Sequence, residues 1–88
     1  VRMFPDDAAA NLNAANAAMS LSDMKRAERY LAKAGSSAEA TYARGIYAAL
    51  EGDYMLAGRL FAEARDGGVA EAAGALDMIE RIKNENNE

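Results

Sequence analysis

The sequence predicts an all-α domain of antiparallel helix pairs, about five helices in all. Three observations predict it. Alanine supplies 22 of the 88 residues, and alanine is the best helix former. Two Val, three Ile and one Thr leave little material for a sheet. The chain also resembles itself at a spacing of 30 to 32 residues, the mark of stacked helical repeats.

Each element has its own start and stop signals. The first helix is expected from about Asp6 to Ser20, after the one proline, Pro5, with Asp6 or Asp7 capping its free amides. After Leu21-Ser22, the second runs from about Asp23 to Ala34 and stops at Gly35, a residue suited to the left-handed conformation. Ser36 with Glu39 three residues on fits a capping box for a third helix ending near Glu51 and Gly52. The fourth begins near Asp53 and stops at Gly67-Gly68. The fifth runs from about Ala70 to Lys83, leaving residues 84–88 as a polar, frayed tail. Connections this short force neighbouring helices into hairpins. Residues 1–5 read as a linker, or as an apolar segment packed on the edge of the first hairpin.

The hairpins are alike. "SDMKRAERYLAKA" at Ser22–Ala34 lies under "GDYMLAGRLFAEA" at Gly52–Ala64, with Asp23/Asp53, Ala27/Ala57, Arg29/Arg59, Ala32/Ala62 and Ala34/Ala64 identical. Met24, Ala27, Leu31 and Ala34 correspond to Tyr54, Ala57, Phe61 and Ala64, four positions on one helix face. "AEA" at Ala38–Ala40 returns at Ala70–Ala72. The units are 6–35, 36–68 and the half-unit 69–83.

On these residues the chain resembles the tetratricopeptide repeat. "TYARGIYAALEGDYMLAGRLFAEA" carries its pattern best, with Gly45 as the small residue of the first helix. Gly52, Asp53 and Tyr54 make the turn, and Ala57, Phe61 and Ala64 the second-helix signature. Ala27, Leu31 and Ala34 hold the signature positions of the first unit. Asp77 stands at the small position of the fifth helix, which is expected to pack as a terminal cap. Ala18 and Ala48 replace an aromatic, and the closing proline is missing. The related SEL-like repeats are the nearest alternative, through "DGGVAEAAGAL". The stretch "YLAKAGSSAEATYARG" is similar to segments of bacterial envelope proteins beside OmpA-like domains, which implies a periplasmic or envelope setting rather than the cytosol.

The resemblance places function on the concave face, lined by the first helix of each pair. Carried over, the groove residues are Leu12, Asn16 and Met19, then Tyr42, Ile46 and Ala49, then Met78. Leu12, Tyr42 and Ile46 stand where some members have the lysines and asparagine of a carboxylate clamp, so no clamp is expected. The groove would take an extended or helical segment of a protein partner through apolar anchors. The same spacing also fits packing of Tyr42, Ile46 and Met78 on neighbouring helices. Tyr42 and Tyr47 lie roughly 140° apart around a helix, so one can face the groove and the other the second helix. A spacer, cap or self-association module, with Met78 and Ile82 seeding the next contact, is the alternative role.

Other functions find little support. The net charge is -4 and the ten Lys and Arg are scattered, a poor match to a phosphate backbone. No run approaches the roughly 18 apolar residues of a membrane span. With no His or Cys, the commonest general base, nucleophile and zinc ligands are missing, so no enzyme activity and no cofactor are expected. Asp77 with Glu80 suits a surface pair such as Asp77–Arg81 better than a metal. Arg29 and Arg59 form either an outer basic stripe or solvated surface, with Arg59 supported by Glu63.

Overall fold

A computed structural model of the chain describes residues 7–86. Expectations for residues 1–6, 87 and 88 lie outside it. Five α-helices account for the described secondary structure: α1 (Ala8–Ser20), α2 (Met24–Ala32), α3 (Ala38–Leu50), α4 (Tyr54–Asp66) and α5 (Glu71–Asn86). The fold is all-α. The Cα trace measures 45 × 26 × 15 Å, a flat elongated slab.

Local chemistry fixes the helix starts. Asp7 accepts from the Ala10 amide at 2.9 Å, and Asp23 from Arg26 at 3.2 Å. Ser37 accepts from Ala40 at 3.1 Å, and Asp53 from Leu56 at 3.2 Å. Each satisfies one amide that the helix itself leaves unpaired. The α3 cap is thus Ser37, not Ser36. Ser37 is extended, with φ -66° and ψ 162°, and aims its hydroxyl along the helix axis. Two further boundaries differ from expectation. α2 ends at Ala32, two residues early, and α5 continues through Asn84 and Glu85 to Asn86. Polarity alone does not stop a helix; Gly and Pro do, and none follows Lys83.

The two hairpins share their geometry at a 30-residue offset. α1 and α3 have 13 residues each. Asn11 donates from Nδ2 to the Asp7 carbonyl at 3.0 Å, and Thr41 from Oγ1 to the Ser37 carbonyl at 3.1 Å. The Asp23 amide donates to the Ala18 carbonyl at 2.8 Å, and Asp53 to Ala48 at 2.9 Å. These turns need a left-handed residue, supplied by Ser22 at φ 60° and Gly52 at φ 86°. Glycine takes that conformation freely, whereas serine pays a steric cost there.

α1 packs on α2, α3 on α4 and α4 on α5, while α2 and α1 both meet α3. Two clusters form the core. The first holds Ala15, Ala18, Met19, Ala27, Tyr30, Leu31 and Ala43. The second holds Ala48, Ala57, Phe61, Ala64, Val69, Ala72 and Ile79. Ile46 packs against both and joins them. The signature residues Ala27, Leu31, Ala34, Ala57, Phe61 and Ala64 are all buried, and Tyr54 is half-buried. Tyr30, buried beside Leu31, escaped sequence reasoning. The spacing Ala27, Tyr30, Leu31, Ala34 is a helix face and would have revealed it.

The closest approach lies between α3 and α4. A Cβ at Gly45 would stand 2.7 Å from both Cδ1 and Cε1 of Phe61. At the other end of this hairpin, a Cβ at Gly67 would stand 2.7 Å from the Ala38 Cβ. α5 does not repeat the seat of α3. It runs along α4, where Gly58 leaves room for Ile79 and Leu76.

Replacing Phe61 by Ala should cost about 3–5 kcal/mol, and Gly45→Ala about 1–3 kcal/mol through overpacking. Urea denaturation of both single variants and of Gly45→Ala/Phe61→Leu checks the contact. The smaller ring-free partner should recover part of the Gly45→Ala loss. Strict additivity would show that the two positions do not share one space.

Candidate functional site

α3 forms the floor of two cavities, one on each side. The first lies between α1 and α3 and has a volume of about 470 Å³. Leu12, Asn16 and Met19 supply its α1 wall. Their spacing of four and three residues aligns them on one helix face. Tyr42, Ala43 and Ile46 supply the α3 floor, and Val69 and Glu71 close the far end. Glu39 and Ser20 complete the lining.

Five of the expected groove residues therefore come together: Leu12, Asn16, Met19, Tyr42 and Ile46. Two do not. Ala49 packs against the second core cluster, one turn beyond Ile46. Met78 lies on α5, 62% exposed and away from the cavity. The reason is the seat of α5. Ile79 turns inward against Gly58, and its neighbour Met78 points about 100° away around the helix.

Tyr42 is held from below. Its ring centroid is 5.5 Å from that of Phe61, with the planes tilted by 49°, a favourable aromatic geometry. One face of Tyr42 thus belongs to the core and the other borders the cavity. Glu39 and Glu71 sit in the first turns of α3 and α5, where the helix dipole favours carboxylates. Sequence reasoning gave Glu39 only a capping role. It lies three residues before Tyr42, hence on the same face. The lining offers apolar contact, the Asn16 amide and two carboxylates, a chemistry of binding.

The second cavity lies on the opposite side of α3, between α2 and α4, and is larger at about 650 Å³. Leu31, Tyr47, Ala48, Leu56 and Leu60 make its apolar surface; Glu28, Glu51, Asp53 and Arg44 stand around it. Arg44 donates from Nη2 to the Leu31 carbonyl at 2.7 Å, which ties α3 to the last turn of α2. Tyr47 faces this side while Tyr42 faces the other. Burial first, then the carboxylates of Glu28 and Glu51, push the Tyr47 phenol above its ordinary 10.0.

Elsewhere the surface is conventional. Asp77 pairs with Arg81 at 3.1 Å, Asp23 with Arg26 at 3.4 Å and Asp66 with Arg65 at 3.2 Å. Such exposed pairs contribute little. Arg59 is exposed and forms no ion pair with Glu63. Among the described residues, no three carboxylates gather as metal ligands. None of the described helices is long and apolar enough to cross a membrane.

Comparison of the chain with models of known families, with curated proteins and with solved structures finds no match in any of the three.

The raised Tyr47 pKa has a consequence with a definite sign. Above pH 10 the unfolded chain releases this proton before the folded one does. The Tyr47 contribution to stability is therefore complete below pH 10 and is lost as pH rises through the folded value. Absorbance titration at 295 nm should show a phenol step above pH 10 that is lost in Tyr47→Phe. A step that persists in that variant contradicts the assignment.

Proposed function

We propose that the chain is a non-enzymatic interaction module whose α1–α3 groove holds a short segment of a partner protein. One observation carries this reading: Leu12, Asn16, Met19, Tyr42 and Ile46, from two helices 30 residues apart in sequence, line one open cavity of about 470 Å³. The tetratricopeptide-like reading supports the same face, because first helices of successive pairs line a concave surface in that architecture. The caps and turns recurring 30 residues apart favour a repeat unit over two unrelated hairpins. Apolar anchors flanked by an amide suit an extended or helical peptide. The absence of His and Cys favours binding over catalysis.

Twelve-residue peptides selected from a random library against the immobilised protein test this reading. Titrated into labelled protein, they should move the amide signals of Asn16, Met19, Tyr42 and Ile46 first. Tyr42→Ala should weaken them by about tenfold or more, as loss of a central aromatic anchor does. Selected peptides that map only to the helix ends or to the far side of α3 would sink the groove reading.

A structural role within a larger assembly has its own support. Leu21 is 80% exposed at the α1–α2 turn, and Met78 is 62% exposed on α5. With Leu50 and Met55 open at the α3–α4 turn as well, these exposed apolar side chains suit the seating of further helices or of a second copy. Sedimentation over a wide concentration range separates the two forms of this role. A monomer throughout removes self-association and leaves the spacer.

A further inference from the structure

The cleft on the far side of α3 carries a separate inference. We propose that it docks an amphipathic helix of a partner protein, one with Lys or Arg beside its apolar anchors. The shape comes from the packing. α2 and α4 both pack on α3, so α3 floors a trough of about 650 Å³ between them. Apolar side chains run along it: Leu31 and Ala32 from α2, Tyr47 and Ala48 from α3, Leu56 and Leu60 from α4. Leu56 is 38% exposed, a large apolar side chain left partly open to solvent.

Charge selects the occupant. Glu28, Glu51 and Asp53 stand at the trough, against one cation, Arg44. The Arg44 guanidinium is already engaged at the Leu31 carbonyl. Glu51 is the C-cap of α3. A carboxylate there faces the negative end of the helix dipole, so its charge is not relieved from within. Tyr47 lies between Glu28 and Glu51 electrostatically, and its phenol stays protonated at neutral pH. A cationic side chain arriving over Glu28 and Glu51 meets a net negative field, three carboxylates against the one guanidinium, while its apolar neighbours cover Leu56 and Leu60.

A second copy of this chain does not fit that description. α5 has exposed Met78, but its four carboxylates outnumber Arg81 and Lys83. The basic helix α2 buries its apolar face, Ala27, Tyr30 and Leu31. On α4, Arg59 and Arg65 are matched by Glu63 and Asp66. Among the described residues, none of these helices fits, so the occupant is assigned to a partner protein. The trough shares no lining residue with the α1–α3 groove, so this inference stands or falls apart from the function proposed above.

The test uses two 14-residue amphipathic model peptides, one of Leu and Lys and one of Leu and Glu. The Leu–Lys peptide should saturably shift the amide signals of Leu31, Tyr47, Glu51, Leu56 and Leu60. The Leu–Glu peptide should not. The double variant Glu28→Gln/Glu51→Gln, altered at two exposed positions, should bind the Leu–Lys peptide about fivefold or more weakly. Asp77→Asn/Glu80→Gln, at exposed positions on α5 outside both cavities, should leave that affinity unchanged. Equal affinity of the two peptides, shifts centred on the α1–α3 groove, absence of binding, or an unaltered affinity in the Glu28/Glu51 variant would each overturn the proposal.

Discussion

The ring of Phe61 occupies the space that a side chain at Gly45 would need, and the rest of the second hairpin is arranged around that contact. A glycine in the middle of a helix costs roughly 0.5–1 kcal/mol relative to alanine. Here that cost is offset by the burial of a whole aromatic ring, a contribution of about 1.5–3 kcal/mol. The first hairpin solves the same problem with different parts. Thirty residues earlier, Ala15 stands in for Gly45 and Leu31 for Phe61, both buried in one cluster. A methyl group gained on one helix is matched by a smaller side chain on the other. The two pairs conserve volume across the interface rather than residue identity, as close-packed interiors require.

That contact reaches the surface through Tyr42. Its ring leans on Phe61, so the groove-facing tyrosine is fixed by the core beneath it. A side chain held in this way loses little conformational entropy when a partner covers it. Ile46, one turn on, touches both core clusters and also lines the groove. The residues that join the hairpins are thus the residues offered to a ligand. The rest of the joint is Ala43, buried in the first cluster, the Arg44 bond to the Leu31 carbonyl, and Tyr47 beside it. Changes in the angle between the hairpins would widen one face of α3 and narrow the other.

Much of this was legible in the sequence because it is governed locally. The Asp7 cap, the helix starts at Asp23 and Asp53, the left-handed Gly35, and the faces Ala27–Leu31–Ala34 and Ala57–Phe61–Ala64 follow from short-range spacing. What failed was set by tertiary contacts. Ser36 and Ser37 are equally good caps by composition. Ser37 is the one whose hydroxyl accepts from the Ala40 amide, beside the close approach of Gly67 to Ala38. Met78 was assigned to the groove by treating α5 as another first helix. Gly58 provides α5 with a closer seat along α4, and no pattern within α5 announces that. Most of the groove was readable, but the trough beyond α3 was not. It draws on three helices, and residues such as Glu28 and Glu51 look like ordinary solvated charges until the fold brings them beside Leu56 and Leu60.

The two faces of α3 differ in how their carboxylates are held, and that difference decides what each face suits. Glu39 and Glu71 occupy first turns, where the dipole and free amides of their own helices stabilise negative charge. They can rim a groove without demanding a cation. Glu28 lies in mid-helix, and Glu51 at the negative end of α3. Their field falls on Tyr47 and on whatever covers the trough. Asp53, the third acid of the trough, is the α4 N-cap and is engaged by the Leu56 amide, which leaves Glu28 and Glu51 as the charges that favour a basic partner. Specificity on this side comes from where along the helices Glu28 and Glu51 stand, since both faces combine apolar side chains with glutamates.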